Sequence, residues 1–242
     1  MFIEQPPEFV RKLYPGAIWR MDPNEKAVYL TFDDGPGPYT EKLLDILDRY
    51  NVKATFFVTN GKPDYQNLIA QEAQRGHTVA IHSASHDYAK IYQSVDAYFA
   101  DFDEMNSIIT AQTGKAADLV RFPGGSSNTI SKKYCYGIMS QLVCAVEERG
   151  FRYCDWNVSS GDAGGTTSTS QVVANVIAGI KGHPPQHAVC VRPAVVRQLH
   201  DKGRCFLPSH AAEQLGCTHR RPDAERVQRK KLQVAALREK RG

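Results

Sequence analysis

Apolar positions along this chain follow two alternating rhythms. Ala27-Val28-Tyr29-Leu30-Thr31-Phe32 is a short apolar run closed by Asp33-Asp34-Gly35-Pro36. It predicts a strand that Gly and Pro stop, with two adjacent carboxylates at its tip. Leu43, Leu44, Leu47 and Tyr50 then recur at helical spacing behind Thr40, a residue able to cap a helix. Residues 54–58 predict a second strand and 65–75 a second helix, which Gly76 would end. A third strand over 78–81 precedes a helix carrying Val95, Phe99, Phe102, Met105 and Ile109 on one face. A strand over 119–122, a helix over 132–149, a strand over 151–156 and a helix with Val172, Val173, Val176 and Ile180 complete the regular part. Strands alternating with helices predict an α/β chain with parallel strands and outer helices.

Composition divides this picture in two. The 242 residues are 42% hydrophobic and 23% charged, as in ordinary globular chains, and no run nears the ~20 apolar residues of a membrane span. The net charge of +4 averages unlike parts: residues 183–242 hold 13 Lys and Arg against 5 Asp and Glu, while the rest holds 17 against 21. A composition break therefore lies near Gly182. None of the six cysteines precedes Cys135 and no Cys-x-x-Cys occurs, which argues against thiolate zinc and against a disulfide framework. The opening Met1-Phe2-Ile3-Glu4-Gln5-Pro6-Pro7 has no basic region followed by an apolar one, so no signal peptide is expected.

Candidate chemistry falls at strand ends. The turn after Asp33 and Asp34 can twist the second carboxylate into the pocket of the first. Two such acids share a site only if one takes a cation and the other stays a base; otherwise they are a solvated turn. In Ile81-His82-Ser83-Ala84-Ser85-His86 the histidines at i and i+4 would share one face of a helical turn, close enough for two imidazoles to hold one ion. Arg121-Phe122-Pro123-Gly124-Gly125-Ser126 offers a carboxylate partner and glycines that let backbone N–H groups approach a ligand. Asp155-Trp156 adds an acid beside an aromatic wall. In parallel α/β architectures the carboxyl ends of the strands form the functional face, and all four groups lie there. One carboxylate and two imidazoles make a three-ligand site with an open position, suited to zinc, with cobalt, nickel or manganese as alternatives.

Thr31 to Pro36, His82 to His86, the Arg121 loop and Asp155-Trp156 together resemble the first four motifs of the polysaccharide deacetylases, carbohydrate esterase family four. The resemblance runs from about Leu13 to Gly182. It implies an incomplete, distorted (β/α)7 barrel that hydrolyses N-acetyl groups on acetylated glycans such as peptidoglycan, chitin or xylan-type polymers. It further implies Asp34, His82 and His86 as metal ligands, and Asp33 as general base, oriented by Arg121 and Asp155. The Gly124 N–H would face the oxyanion, and Pro123 and Trp156 would line the groove. Residues 1–24 then form an N-terminal extension, 25–182 the catalytic domain and 183–242 a divergent basic tail.

The chain departs from that family at one point. Relatives place a strand ending in Leu-x-His some 30 to 40 residues after the Asp-Trp motif, and that histidine is read as the general acid. Here the run is Ala188-Val189-Cys190-Val191-Arg192-Pro193; Leu199-His200-Asp201 follows later, which makes His200 a weak substitute. The alternative function is accordingly a glycan-binding domain with impaired catalysis. A non-haem iron site would also use two histidines and one carboxylate, but that chemistry favours a β-rich barrel. The basic tail, with Asp223 to Lys240 as a charged helix, reads as a solvated face; no nucleic-acid partner is expected. A monomer is expected. The resemblance places the protein outside the cell or at its surface, whereas the opening residues leave the cytoplasm as the alternative.

Overall fold

A computed structural model describes residues 17–18, 28–166, 168–182 and 189–192. Eight strands form one sheet: β1 (Ala17–Ile18), β2 (Val28–Gly35), β3 (Thr55–Thr59), β4 (Thr78–Ser83), β5 (Leu119–Val120), β6 (Arg152–Cys154), β7 (Val158–Ser159) and β8 (Val189–Arg192). Their order is β1-β6-β5-β4-β3-β2-β8-β7 and every pairing is parallel. Helices α1 (Thr40–Arg49), α2 (Leu68–Gln74), α3 (Tyr88–Ile91), α4 (Val95–Thr113), α5 (Ile138–Glu148) and α6 (Thr169–Gly182) make the crossovers.

This order cannot lie flat. β6 and β7 are six positions apart in the sheet, roughly 29 Å if it were planar. Only residues 155–157 join them, a link that reaches at most about 14 Å. The sheet must therefore curl until its edges approach, which gives the incomplete, distorted (β/α)7 barrel. β8 lies beyond Gly182 and inserts between β2 and β7, so residues after the composition break supply part of the wall.

Strand alternation sorts side chains into two cores. Phe56, Val58, Ile81, Val120 and Tyr153 face outward and pack with Leu43, Leu44 and Leu47 of α1, Phe99, Phe102, Met105 and Ile109 of α4, and Leu142 and Val146 of α5. Phe57, Ala80, Cys154 and Trp156 form a smaller cluster inside the barrel. Burying each large outward side chain contributes about 1.5–3 kcal/mol. The helix α4 anchors this shell: Ser94 Oγ accepts from Ala97 N at 3.1 Å at its start, and Gly114 at φ 72° ends it. Among the described residues no helix is long and apolar enough to cross a membrane.

Several expected boundaries move, each for a local reason. Thr40 is the first residue of α1 rather than its cap, and its Oγ1 accepts from Gly37 N at 2.9 Å, closing the turn before the helix. Tyr50 follows α1 and is exposed. The helix expected over 132–149 begins only at Ile138, because Gly137 takes φ 78° and separates it from a 3-10 turn at Ile130–Lys133. The two-residue strand β7 carried no periodic signal at all.

One buried group opposes the fold. Glu72 of α2 is fully buried, neither carboxylate oxygen has a hydrogen-bond partner among the described residues, and burial pushes its pKa up to about 8 from 4.5. The folded chain thus keeps a proton that the unfolded chain releases above pH 4.5. Stability falls as pH rises from about 4.5 to about 8, by on the order of 4–5 kcal/mol from this group, and no further above that. Glu72→Gln, which does not titrate, is expected to raise Tm progressively more between pH 5 and pH 8; a Tm difference from the native chain that stays constant with pH would contradict this.

Candidate active site

The alternation that sends Phe32 outward sends Thr31 and Asp33 into the barrel, where Asp33 is 2% exposed. On a regular strand Asp34 would then face the helices. Instead the β2–β3 register slips: Asp33 lies opposite Phe57 and Gly35 opposite Val58, so Asp34 is an extra residue, and it takes φ 65°. A bulge of this kind re-aims a side chain. It brings both carboxylates to one end of the barrel, as the twist expected from the sequence requires. The left-handed backbone costs about 1–2 kcal/mol at a non-glycine position, and aspartate tolerates it better than most residues.

The histidines are assembled by a second slip. β3 and β4 pair Val58 with Ile81 and Thr59 with Ser83, which makes His82 the extra residue. Its Nδ1–H donates to the Arg121 carbonyl at 2.7 Å. A carbonyl can only accept, so the ring lone pair sits on Nε2. That nitrogen is buried, has no hydrogen-bond partner among the described residues, and lies 3.4 Å from Asp34 Oδ1. His86 Nε2 lies 3.3 Å from the same oxygen. The pair does not share a helical turn: His82 ends β4, and His86 is in a loop at φ 52°.

What replaces the helical turn is Asp101 of α4. Its buried carboxylate accepts from Ser83 Oγ at 2.6 Å, Ala84 N at 2.7 Å, Ser85 N at 2.8 Å and Ser85 Oγ. Ser83 Oγ in turn accepts from His86 N at 2.8 Å. Sequence reasoning passed over this residue. Its signal was an acid within the buried stripe of α4, four residues before Met105.

The donor set fits a small cation. Ligand atoms of Asp34, His82 and His86 all lie within 4.8 Å of one another. Two ligands at about 2.0–2.1 Å from a tetrahedral ion are roughly 3.3–3.4 Å apart, matching the two carboxylate–imidazole separations. The His82 hydrogen bond to a backbone carbonyl is of the kind that orients an imidazole for ligation.

Arg121 closes the site from below. It is fully buried; Nη1 donates to Asp33 Oδ1 at 2.7 Å and Thr31 Oγ1 at 2.8 Å, Nε to the Cys154 carbonyl at 2.9 Å and Nη2 to the Asp155 carbonyl at 3.1 Å. Its guanidinium stacks 4.0 Å from the Phe57 ring centroid. Asp155 meets Arg121 through its carbonyl, while its carboxylate accepts from Ser126 N at 3.0 Å and from Ser126 Oγ. It thereby ties down the loop after β5. Gly124 and Gly125 take φ 78° and 84°; a Cβ on Gly124 would lie 2.7 Å from the Tyr88 hydroxyl, and one on Gly125 3.3 Å from Asp155 and Trp156. Pro123 is buried, and its carbonyl accepts from the Tyr92 hydroxyl at 2.7 Å. Trp156 is mostly buried against Phe57, Ala80 and Cys154. His200 lies outside the described residues.

Residues 20–136 match the family model described as Polysaccharide deacetylase. The chain is 31% identical to a peptidoglycan-N-acetylglucosamine deacetylase of Bacillus cereus over 86% of its own length and 77% of that protein's. Among solved structures it is similar to the catalytic domain of peptidoglycan N-acetylglucosamine deacetylase from Eubacterium rectale, with 58% identity, 81% of this chain and 84% of that one covered, and a TM-score of 0.71. It is also similar to a polysaccharide deacetylase from Bacillus cereus, with 31% identity, 70% and 79% coverage and a TM-score of 0.60. The fold is thus shared with solved deacetylases, and the chain belongs to the polysaccharide deacetylase family.

Asp101 gives a direct test of how the loop is held. Asp101→Asn keeps the shape but supplies an N–H where four donors need an acceptor, and it is expected to lower the affinity of the Asp34, His82 and His86 cluster for an added divalent ion about 10- to 100-fold. Competition with a chromogenic chelator measures this, with circular dichroism as the control for folding. Unchanged affinity in a folded variant would mean that the histidine loop holds itself.

Proposed function

We propose that this chain hydrolyses N-acetyl groups on an N-acetylglucosamine-containing glycan of the peptidoglycan or chitin type. The observation that carries this is the buried Asp33–Arg121 pair set directly beside the Asp34, His82 and His86 cluster. Those three residues would hold a divalent ion; zinc is our assignment, with cobalt, nickel and manganese as alternatives. Such an ion supplies a Lewis acid that loosens a proton of water and polarises a carbonyl. Asp33 takes that proton. With Oδ1 engaged by Arg121, acceptance falls to Oδ2. Asp155 steadies the base at one remove, through its carbonyl on Arg121 and its carboxylate on the loop that presents Gly124. The Gly124 N–H would donate to the oxygen on which charge grows, a contact typically worth about 10²- to 10³-fold in rate. Pro123 and Trp156 would line the acetyl groove. By family resemblance this chemistry would act outside the cell or at its surface, with the cytoplasm as the alternative.

Acetate release from N-acetylglucosamine oligomers and from peptidoglycan, after chelation and reloading with zinc or cobalt, tests the reading; no release from either substrate with either metal would overturn it. The two aspartates are expected to separate. Asp34→Asn should lose the metal, while Asp33→Asn should keep it and lose about 10²- to 10⁴-fold in rate. Elemental analysis beside kinetics checks this, and equal metal loss in both variants would show that the roles are shared.

A second reading is favoured by the chain's own departure: β8 ends in Val191-Arg192, where the family resemblance implies a strand ending in histidine. Without that acid an amine leaves poorly, whereas a nitrophenolate needs no proton. Hydrolysis of nitrophenyl acetate is therefore expected to exceed N-deacetylation, with His200→Ala without effect on either. A tenfold loss of amide hydrolysis in His200→Ala, with the activated ester spared, would instead assign the acid to His200.

A further inference from the structure

The segment after the glycine loop is built unlike the rest of the surface. Seven large apolar side chains are exposed among the described residues, and three fall within seven consecutive positions: Ile130 at 46%, Tyr134 at 42% and Tyr136 at 87%. Lys132 and Lys133 lie between them, also exposed, and no Asp or Glu occurs from Leu119 to Val146. Clustered exposed apolar side chains mark a binding surface, whereas single ones need no explanation.

This segment is held in place. Asn128 Oδ1 accepts from Ser131 N at 3.0 Å, and Asn128 Nδ2 donates to the Gly125 carbonyl at 2.9 Å. One side chain thus ties the turn at Ile130–Lys133 to the loop that carries Gly124. Ser131 is buried, its carbonyl accepts from Tyr134 N at 3.0 Å and Cys135 N at 3.1 Å, and Cys135 packs on the outer core. The tyrosines and lysines therefore lie in a tethered connection between the carboxyl end of β5 and α5, the same connection that carries Gly124. A polymer whose inner sugar is at Asp33 would extend along the carboxyl ends of the strands, the side from which this connection leaves β5. An aromatic ring stacks on the C–H face of a sugar, and paired ammonium groups attract carboxylates.

We propose that residues 130–136 form an outlying platform for the glycan strand beyond the sugar being deacetylated, with Tyr136 stacking on a sugar ring and Lys132 and Lys133 selecting strands that carry carboxylates over neutral ones. The platform deepens the deacetylase reading and rests on it for the choice of a glycan. The polymer it fits is an acidic one, such as a strand bearing lactyl or peptide carboxylates, rather than a neutral homopolymer.

The full chain is tested by co-sedimentation with peptidoglycan sacculi stripped of phosphate polymers and with chitin. Lys132→Gln with Lys133→Gln is expected to weaken binding to sacculi about three- to tenfold and to leave chitin binding unchanged. Tyr136→Ala should weaken both about fivefold. Equal losses on the two polymers in the lysine variant would overturn the selectivity for acidic strands. Unchanged binding in both variants would overturn the platform. Loss of binding to phosphatidylglycerol vesicles, with glycan binding intact, would also overturn it by assigning the patch to a membrane surface. Acetate release by the native chain is followed in parallel: sacculi bound through Tyr136 but never deacetylated would sink the activity and leave the platform standing.

Discussion

Everything at the carboxyl end of this barrel depends on one buried cation. The Arg121 guanidinium sits inside the sheet with no solvent contact, and its partners come from β2, from the end of β6 and from the residue that follows it. A charge in that position is tolerated only when paired and hydrogen-bonded, because desolvation alone costs several kcal/mol. Asp33 supplies the counter-charge, Thr31 and two carbonyls supply further acceptors, and Phe57 supplies a face on which the plane rests. Removing either charge would leave the other buried alone, which typically destabilises by about 3–5 kcal/mol. The same contact that joins the strands therefore also fixes the carboxylate proposed as the base.

Around that pair the backbone departs from regularity only where side chains must be re-aimed. Asp34 and His86 take left-handed φ values, and Asp34 and His82 are the extra residues at two register slips. Among described non-glycine residues only Asn51, after α1, shares the left-handed conformation. Strain of this kind persists where surrounding contacts over-determine it. Here Asp101 and Ser83 fix the histidine loop, and the Thr59 hydroxyl donates to the Gly35 carbonyl at 3.3 Å on the carboxylate side.

How much of this was legible follows from the range of each interaction. Alternating strand and helix periods predicted the barrel, because each period is a local consequence of which face is buried. Adjacency at strand ends predicted that Asp33, Asp34, His82, His86, Arg121 and Asp155 share one face, and the two acids, two histidines and arginine do converge there. The mode of assembly was not legible. An i, i+4 spacing reads equally as a helical turn or a held loop, and the choice was made by Asp101, distant in sequence. Gly137 cut the expected helix because a left-handed residue outweighs apolar periodicity. Asp155 reached Arg121 through its carbonyl, which no side-chain pattern reveals.

The remaining question is how two neighbouring carboxylates occupy one small space. Both ionised and close together they would repel. The barrel gives each carboxylate different neighbours. Asp33 faces Arg121 at 2.7 Å within the interior, and Asp34, turned by its bulge, faces two imidazoles at 3.3–3.4 Å toward the opening. The bulge is what makes the separation possible, since on a regular strand alternation would send the second acid among the helices. One side of the pair is thus closed by a permanent cation of the protein itself. The other faces the two imidazoles, and the division between base and ligand proposed above rests on that difference in surroundings.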